Sequence, residues 1–103
     1  MIEVVVAPEA RADLDQIITT IAAAAGSATA GRWNDRFWAT VDEIAAFPGS
    51  GPPRKRLGSG IRIKIVRPYI VIYEHAHGAE QAFVLRVVHG KRRITRKLVR
   101  SPG

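Results

Sequence analysis

The sequence predicts an α+β fold: an N-terminal strand and an antiparallel helical hairpin packed on a small antiparallel sheet, followed by a short basic C-terminal helix or tail. Two observations carry this prediction. Apolar residues at helical spacing run through residues 8–46, and three short β-branched runs occupy residues 61–89. The connections between these runs are too short for parallel pairing, so we expect a meander. A chain of 103 residues is expected to form one domain, residues 1–103.

The N-terminal half contains the predicted strand and hairpin. Residues 2–6, IEVVV, form a strand that ends before Pro8, and proline suits the first turn of a helix because its missing N–H has no intrahelical partner there. The first helix is predicted to run to about Ala25 and to stop at Gly26. The second helix is predicted to end at Phe47, with an apolar stripe formed by Ala30, Trp33, Phe37, Val41 and Ile44.

The first run of the meander, GSGIRIKIV, alternates isoleucines with cations. Because side chains alternate across a strand, Arg62 and Lys64 are predicted to lie on the face opposite Ile61, Ile63 and Ile65. Pro68 separates this strand from the next one, since it has no N–H for the ladder. We expect the hairpin to cover the apolar face of the sheet and the cationic face to stay open.

The segment FPGSGPPRKRLGSG joins the second helix to the sheet. It holds four glycines and three prolines in fourteen residues, which is typical of a loop. Glycines beside basic residues also suggest phosphate binding. However, no GKS or GKT follows, and the segment leads into a strand rather than a helix. We therefore interpret it as a structural turn.

Charge is divided unevenly along the chain. Residues 1–50 carry three basic and seven acidic side chains, a net charge of −4, whereas residues 51–103 carry thirteen basic and two acidic side chains, a net charge of +11. This asymmetry concentrates positive potential on the sheet and the tail. Either a solvated basic surface or an anionic partner, nucleic acid or an acidic protein segment, accounts for it.

Few residues offer catalytic or metal-binding chemistry. The chain has no cysteine, and its three histidines are His75, His77 and His89, the first two in a predicted loop. They lack the recurrent carboxylate spacing of a metal site, and no cysteine accompanies them, so we expect no metal and no cofactor. No apolar run approaches the roughly 20 residues of a membrane span, and no export signal is visible. These features fit a cytoplasmic protein without membrane contact.

Four stretches together resemble the RelE/ParE toxin superfamily of bacterial toxin–antitoxin modules. They are APEARADLDQI, RWNDRFWATVDEIAAFPGSGPPR, LGSGIRIKIVRPYIVIYE and VLRVVHGKRRI, which span the chain from about Val4 to Leu98 and are similar to the ParE branch in particular. The resemblance implies a toxin held inactive by a ParD-like ribbon-helix-helix antitoxin, through which alone operator DNA is bound. It also implies DNA gyrase as the target, inhibited without catalysis.

An mRNA interferase of the RelE type is the first alternative, and a basic nucleic-acid-binding module is the second. The interferase set resembles a cluster of cations with a C-terminal aromatic or imidazole, and this chain matches it at Arg62, Arg92 and Arg93. No tyrosine or histidine follows His89, so the partner for proton transfer is missing. This departure favours an inhibitor that catalyses nothing.

Two groups of residues are predicted to bind macromolecules. Trp38, at the edge of its helical stripe, is expected to contact the antitoxin together with the strand cations Arg62, Lys64 and Arg86. The antitoxin is expected to lay an acidic amphipathic segment across a groove between sheet and hairpin. The tail cations are expected to contact the target: Lys91, Arg92, Arg93, Arg96 and Lys97.

Overall fold

A computed structural model describes residues 1–100, and residues 101–103, the end of the predicted domain, lie outside the described residues. The helices are α1 (Pro8–Ala25), α2 (Ser27–Ala46) and α3 (Arg96–Arg100). The strands are β1 (Glu3–Val6), β2 (Ile61–Val66), β3 (Tyr69–Glu74) and β4 (Gln81–His89). A 3-10 turn covers Lys55–Leu57. The predicted α+β fold class is confirmed.

The strands form one sheet in the order β1-β4-β3-β2. Strands β2, β3 and β4 pair antiparallel, as the short connections predicted. Strand β1 joins the far edge and runs parallel to β4, with Val6 opposite Val84. The helical hairpin supplies the long crossover that parallel pairing requires. The sheet is therefore mixed rather than wholly antiparallel.

The hairpin turns at Gly26, whose φ of 93° lies in the left-handed region that favours glycine. The amide N–H of Gly26 donates to the carbonyl oxygen of Ala22, which closes the last turn of α1. Helix α2 begins at the next residue and ends at Ala46, so the predicted helix boundaries hold to within one residue. Within residues 1–100, no helix combines the length and apolar character that crossing a membrane requires.

One face of the sheet packs against the hairpin. Phe37 and Tyr73 are its largest fully buried side chains, and burial of each aromatic contributes roughly 1.5–3 kcal/mol. The other buried members of this cluster are Ala10, Leu14, Ile44, Val66, Val71, Ala82, Val84 and Val87. Because Val66 belongs to this cluster, the side of β2 that carries Arg62 and Lys64 faces the hairpin.

The opposite face of the sheet carries a second core. The 3-10 turn and α3 cover it, and its buried members are Leu57, Ile61, Ile63, Ile72, Val88 and Val99. The expectation that the hairpin covers the isoleucine face was therefore wrong. Apart from Ile65, strand β2 is covered on both faces, because the C-terminal segment returns to the sheet and supplies a second apolar layer of its own.

Candidate functional site

The predicted antitoxin-binding cations of β2 do not lie on an open face. The Nη1 of Arg62 donates to the carbonyl oxygens of Gly49 and Gly51 at 3.2 and 2.7 Å. The Nζ of Lys64 lies 2.8 Å from a carboxylate oxygen of Glu43 on α2. The expectation of an uncovered cationic face was wrong, because the α2–β2 loop and α2 itself lie over these two side chains.

The α2–β2 loop is fixed to the sheet through Tyr73. Its hydroxyl donates to the carbonyl oxygen of Pro48 at 2.7 Å and accepts the amide N–H of Gly51 at 3.0 Å. A Cβ on Gly51 would lie 2.3 Å from the carbonyl oxygen of Ile63, so only glycine fits there. This close approach explains why the loop, though rich in glycine, has a defined structure.

Arg86 is buried rather than exposed on the cationic face, which corrects its predicted position. Its Nε and Nη2 donate to the two carboxylate oxygens of Asp13 at 2.8 and 3.0 Å, and its Nη1 donates to the carbonyl oxygen of Leu98 at 3.0 Å. Hydrogen bonding to Asp13 raises the pKa of Arg86 above its ordinary value, against the opposing effect of burial. The side chain therefore joins α1 to α3 and is not available to a partner in this state.

Trp38 lies on the hairpin, half-buried on α2. It lines a crevice of about 220 Å³ between α1 and α2, whose walls also include Leu14 and Ile18. The guanidinium carbon of Arg11 lies 5.0 Å from the centre of the Trp38 ring, which suits a cation–π contact. The four residues predicted to contact the antitoxin are thus divided among three places.

The predicted target-binding cations follow β4. Lys91, Arg92 and Arg93 are exposed in the turn, and Arg96 and Lys97 are exposed on α3. Of these, Arg96 has a structural contact, because its Nε donates to the carbonyl oxygen of Arg56 at 2.7 Å. Within residues 91–100 the chain packs against its own sheet, with Val99 of α3 buried.

Most of the positive charge in residues 51–100 has no acidic neighbour. Among the described residues, three cations of this half form ion pairs: Lys64 with Glu43, Arg86 with Asp13, and Arg100 with Glu74. The other ten of its thirteen lysines and arginines lack a carboxylate within 4 Å in residues 1–100. The positive potential predicted for the sheet and tail is therefore largely unneutralised.

The turn between β2 and β3 carries an exposed apolar patch. Ile65 is 59% exposed, and it lines a shallow cavity of about 310 Å³ with Pro68 and Ile70. Arg67 and Lys91 lie at the same cavity. Residues 52–54 pair with the beginning of β2, whose edge beyond Ile63 has no strand partner among residues 1–100. We call Ile65, Pro68, Ile70, Arg67 and Lys91 the β-turn patch.

A cavity at the other end of the sheet brings together residues that the sequence did not connect. Its volume is about 650 Å³, and it is lined by the cations Lys55, Arg62 and Arg96 with the histidines His75 and His77. The sequence placed these histidines in an isolated loop, and their order along the chain gives no sign of this clustering. Only the register of β2 against β3, which sets Arg62 opposite Tyr73 just before the histidine loop, could have indicated this clustering.

The comparisons with known proteins agree with this geometry. A family model described as the ParE toxin of the type II toxin–antitoxin system parDE matches residues 4–94. The chain belongs to the ParE toxin family. A solved structure described as the chromosomal ParDE system from P. aeruginosa has a TM-score of 0.72 and 20% identity, covering 86% of this chain and 96% of that one. A search of curated proteins found no significant match.

Membership of the ParE family makes this chain the toxin type of a type II toxin–antitoxin module, and the resemblance predicted from the sequence is confirmed. The match ends at Ile94, so it includes the exposed cations of the turn and stops before α3. The solved ParDE structure and this chain share the fold. At 20% identity this likeness concerns the fold alone.

Proposed function

We propose that this ParE-family chain inhibits DNA gyrase without catalysing a reaction and that a ParD-like antitoxin neutralises it in the cytoplasm. The observation that carries the proposal is the family match over residues 4–94. The exposed, unneutralised cations at Lys91, Arg92 and Arg93 support it, since they offer a positive surface to a large anionic complex such as gyrase bound to DNA. Operator DNA is reached only through the antitoxin.

The positions of the interferase-like arginines support a binding role. Arg62 is opposite Tyr73, whereas His89, just before Arg92 and Arg93, is opposite Tyr69. These two positions on β3 are four residues apart, or about 13 Å along a strand. Arg92 also lines a groove beside α1 that does not include Arg62. That Arg62 and Arg92 line different cavities supports a binding role over joint cleavage of one phosphate.

The β-turn patch is the antitoxin surface that we favour. It combines an exposed isoleucine with the edge of β2 beyond Ile63, a combination that an added extended segment covers. Arg67 and Lys91 at its border match an acidic segment in charge. Of the residues predicted from the sequence, Lys64 is the nearest along the chain, and it pairs with Glu43, whose side chain on α2 is exposed.

One observation favours the interferase alternative. His75 and His77 line the same cavity as Arg62, and imidazoles are groups that transfer protons near neutral pH. Ribosome-dependent cleavage of mRNA is therefore the second candidate function. Its proton-transfer groups would lie in this cavity rather than in the C-terminal tail, where the resemblance predicts them.

The test is a supercoiling and DNA-cleavage assay with purified gyrase, with and without the antitoxin. The proposal predicts loss of supercoiling and accumulation of DNA cleaved by gyrase, both reversed by a stoichiometric amount of antitoxin. Full gyrase activity at a large excess of the chain contradicts it. Discrete cuts in mRNA on translating ribosomes support the interferase alternative instead.

A further inference from the structure

We propose that the cavity lined by Lys55, Arg62, Arg96, His75 and His77 binds a phosphate group carried by a nucleotide. We call it the histidine cavity. Its cations and histidines come from four separate parts of the chain: the 3-10 turn, β2, the β3–β4 loop and α3. The inference concerns a ligand site and does not depend on which macromolecule the toxin attacks.

The cationic groups at this cavity keep donors for a ligand. Lys55 is exposed, and its Nζ has no hydrogen-bond partner within residues 1–100. Arg96 uses its Nε to hold the carbonyl oxygen of Arg56, and its two terminal nitrogens make no hydrogen bond to the described part of the chain. Arg62 donates only through Nη1, to Gly49 and Gly51. A guanidinium carries five N–H donors, so these arginines have capacity beyond their structural bonds.

The acidic group at this cavity is already paired. Glu74 lines the cavity, and its Oε2 lies 2.9 Å from Nη2 of Arg100. Because Arg100 already pairs with Glu74, the positive charge of the three lining cations is not offset at the cavity, and such a positive cavity attracts an anion. A phosphate group, with its negative charge and several acceptor oxygens, is the ligand chemistry that this arrangement fits.

The wall of the histidine cavity is preformed by the end of the glycine-rich loop. Ser59 and Gly60 line it, and the carbonyl oxygen of Gly60 accepts the amide N–H of His75 at 3.0 Å. Gly60 has a φ of 77°, and a Cβ there would lie 3.2 Å from the carbonyl oxygen of His75. Glycine thus lets the loop approach the histidine-bearing turn closely. The sequence interpretation of this segment as a turn stands, but its last residues also border a cationic cavity.

The positions of the histidines allow an experiment that reports on the cavity separately from the rest of the surface. The chain has three histidines, and His89 ends β4 beside Tyr69, at the opposite end of β3 from the histidine cavity, with its ring 5.7 Å from that of Tyr69. We would titrate the purified full chain with an eight-residue oligothymidylate, with ATP and with inorganic phosphate while following the imidazole NMR signals. The signals of His75 and His77 are expected to shift with saturation, whereas that of His89 stays in place.

Variants test whether the cavity cations hold the ligand. Lys55→Gln and Arg96→Gln are each expected to weaken binding about twofold to fivefold, the range of a solvent-exposed ion pair. Arg32→Gln removes the same charge from α2, outside the cavity, and is the matched control. The side chain of Lys55 makes no hydrogen bond within residues 1–100, so Lys55→Gln keeps the test valid if Arg96→Gln disturbs α3.

The probes also identify the source of the phosphate. A shift at lower concentrations of oligothymidylate than of ATP assigns the site to a nucleic-acid strand, and the reverse order assigns it to a free nucleotide. The absence of a shift at His75 and His77 with all three probes overturns the proposal. Equal shifts at all three histidines, or binding by Lys55→Gln as tight as by the unaltered chain, also overturn it.

Discussion

Arg86 and Asp13, 73 residues apart in the sequence, form a bidentate pair in which two guanidinium nitrogens meet two carboxylate oxygens. The carboxylate also accepts the amide N–H of Val87 at 2.9 Å. Strand β1 pairs with β4 only as far as Val84, so Asp13 replaces the missing strand neighbour at this edge. The third guanidinium nitrogen, Nη1, donates to the carbonyl oxygen of Leu98 in α3. One ion pair thus connects the hairpin, the sheet edge and α3.

The first prediction concerns this pair. Asp13→Ala leaves Nε and Nη2 of the buried Arg86 and the amide of Val87 without partners, and we expect it to lower the free energy of unfolding by about 3–5 kcal/mol. Urea denaturation followed by circular dichroism measures the change. The control is Asp15→Ala, which removes an exposed carboxylate from the same helix. Equal stability of the two variants would refute the structural role assigned to Asp13.

The second prediction compares two glycines of the α2–β2 loop. Gly51→Ala forces a methyl group against the backbone of Ile63 and the ring of Tyr73, and we expect a loss of about 1–3 kcal/mol in the free energy of unfolding. Gly49→Ala is the control, because a Cβ at Gly49 would meet no atom within 4 Å apart from those of the adjacent residues in the chain. Thermal denaturation of both variants is the measurement. A stable Gly51→Ala protein would show that the loop is not fixed as described.

The third prediction concerns the β-turn patch. Ile65→Asp places a negative charge where the acidic antitoxin segment is proposed to lie, so antitoxin affinity is expected to fall at least about tenfold. Toxicity in the absence of antitoxin is expected to persist, since Ile65 is largely exposed. Surface plasmon resonance with immobilised antitoxin measures the affinity. Ala39→Asp, on the exposed surface of α2, serves as the control, and unchanged binding by Ile65→Asp argues against this surface.

The fourth prediction concerns the exposed arginines of the turn after β4. We expect Arg92→Gln combined with Arg93→Gln to reduce growth inhibition about tenfold, because two charge contacts to the target are lost. The unfolding midpoint is expected to stay unchanged, since neither side chain has a hydrogen-bond partner within residues 1–100. Inducer titration of growth inhibition, with Arg32→Gln as the control, is the measurement. Undiminished toxicity would remove these residues from the target surface.

Periodicity along the chain was sufficient to predict the helices, the meander and the helix break at Gly26. Each of these depends on neighbours within a few residues. Periodicity also separated Ile61, Ile63 and Ile65 from the cations between them, but it could not show which layer covers which face. That choice depends on α3, whose burial of Val99 against the sheet is a long-range contact.

The candidate site was harder to predict for the same reason. The cationic pattern predicted a positive region, but the exposure of Arg86 depends on Asp13, a residue at the other end of the chain. The register of β3 and β4 shifts between Ile72 and Tyr73, and this irregularity lies next to Arg86, which is opposite Ile72. Alternation alone therefore could not place its side chain.

We propose that this toxin acts by binding and makes or breaks no bond of its own. The most direct measurement is to express the chain without antitoxin and, in the same cells, to map both gyrase-linked DNA breaks and new 5′ ends of mRNA. We predict DNA breaks that disappear when the antitoxin is co-expressed, and an unchanged set of mRNA ends. New mRNA ends that depend on His75 or His77, without an increase in DNA breaks, would contradict the claim.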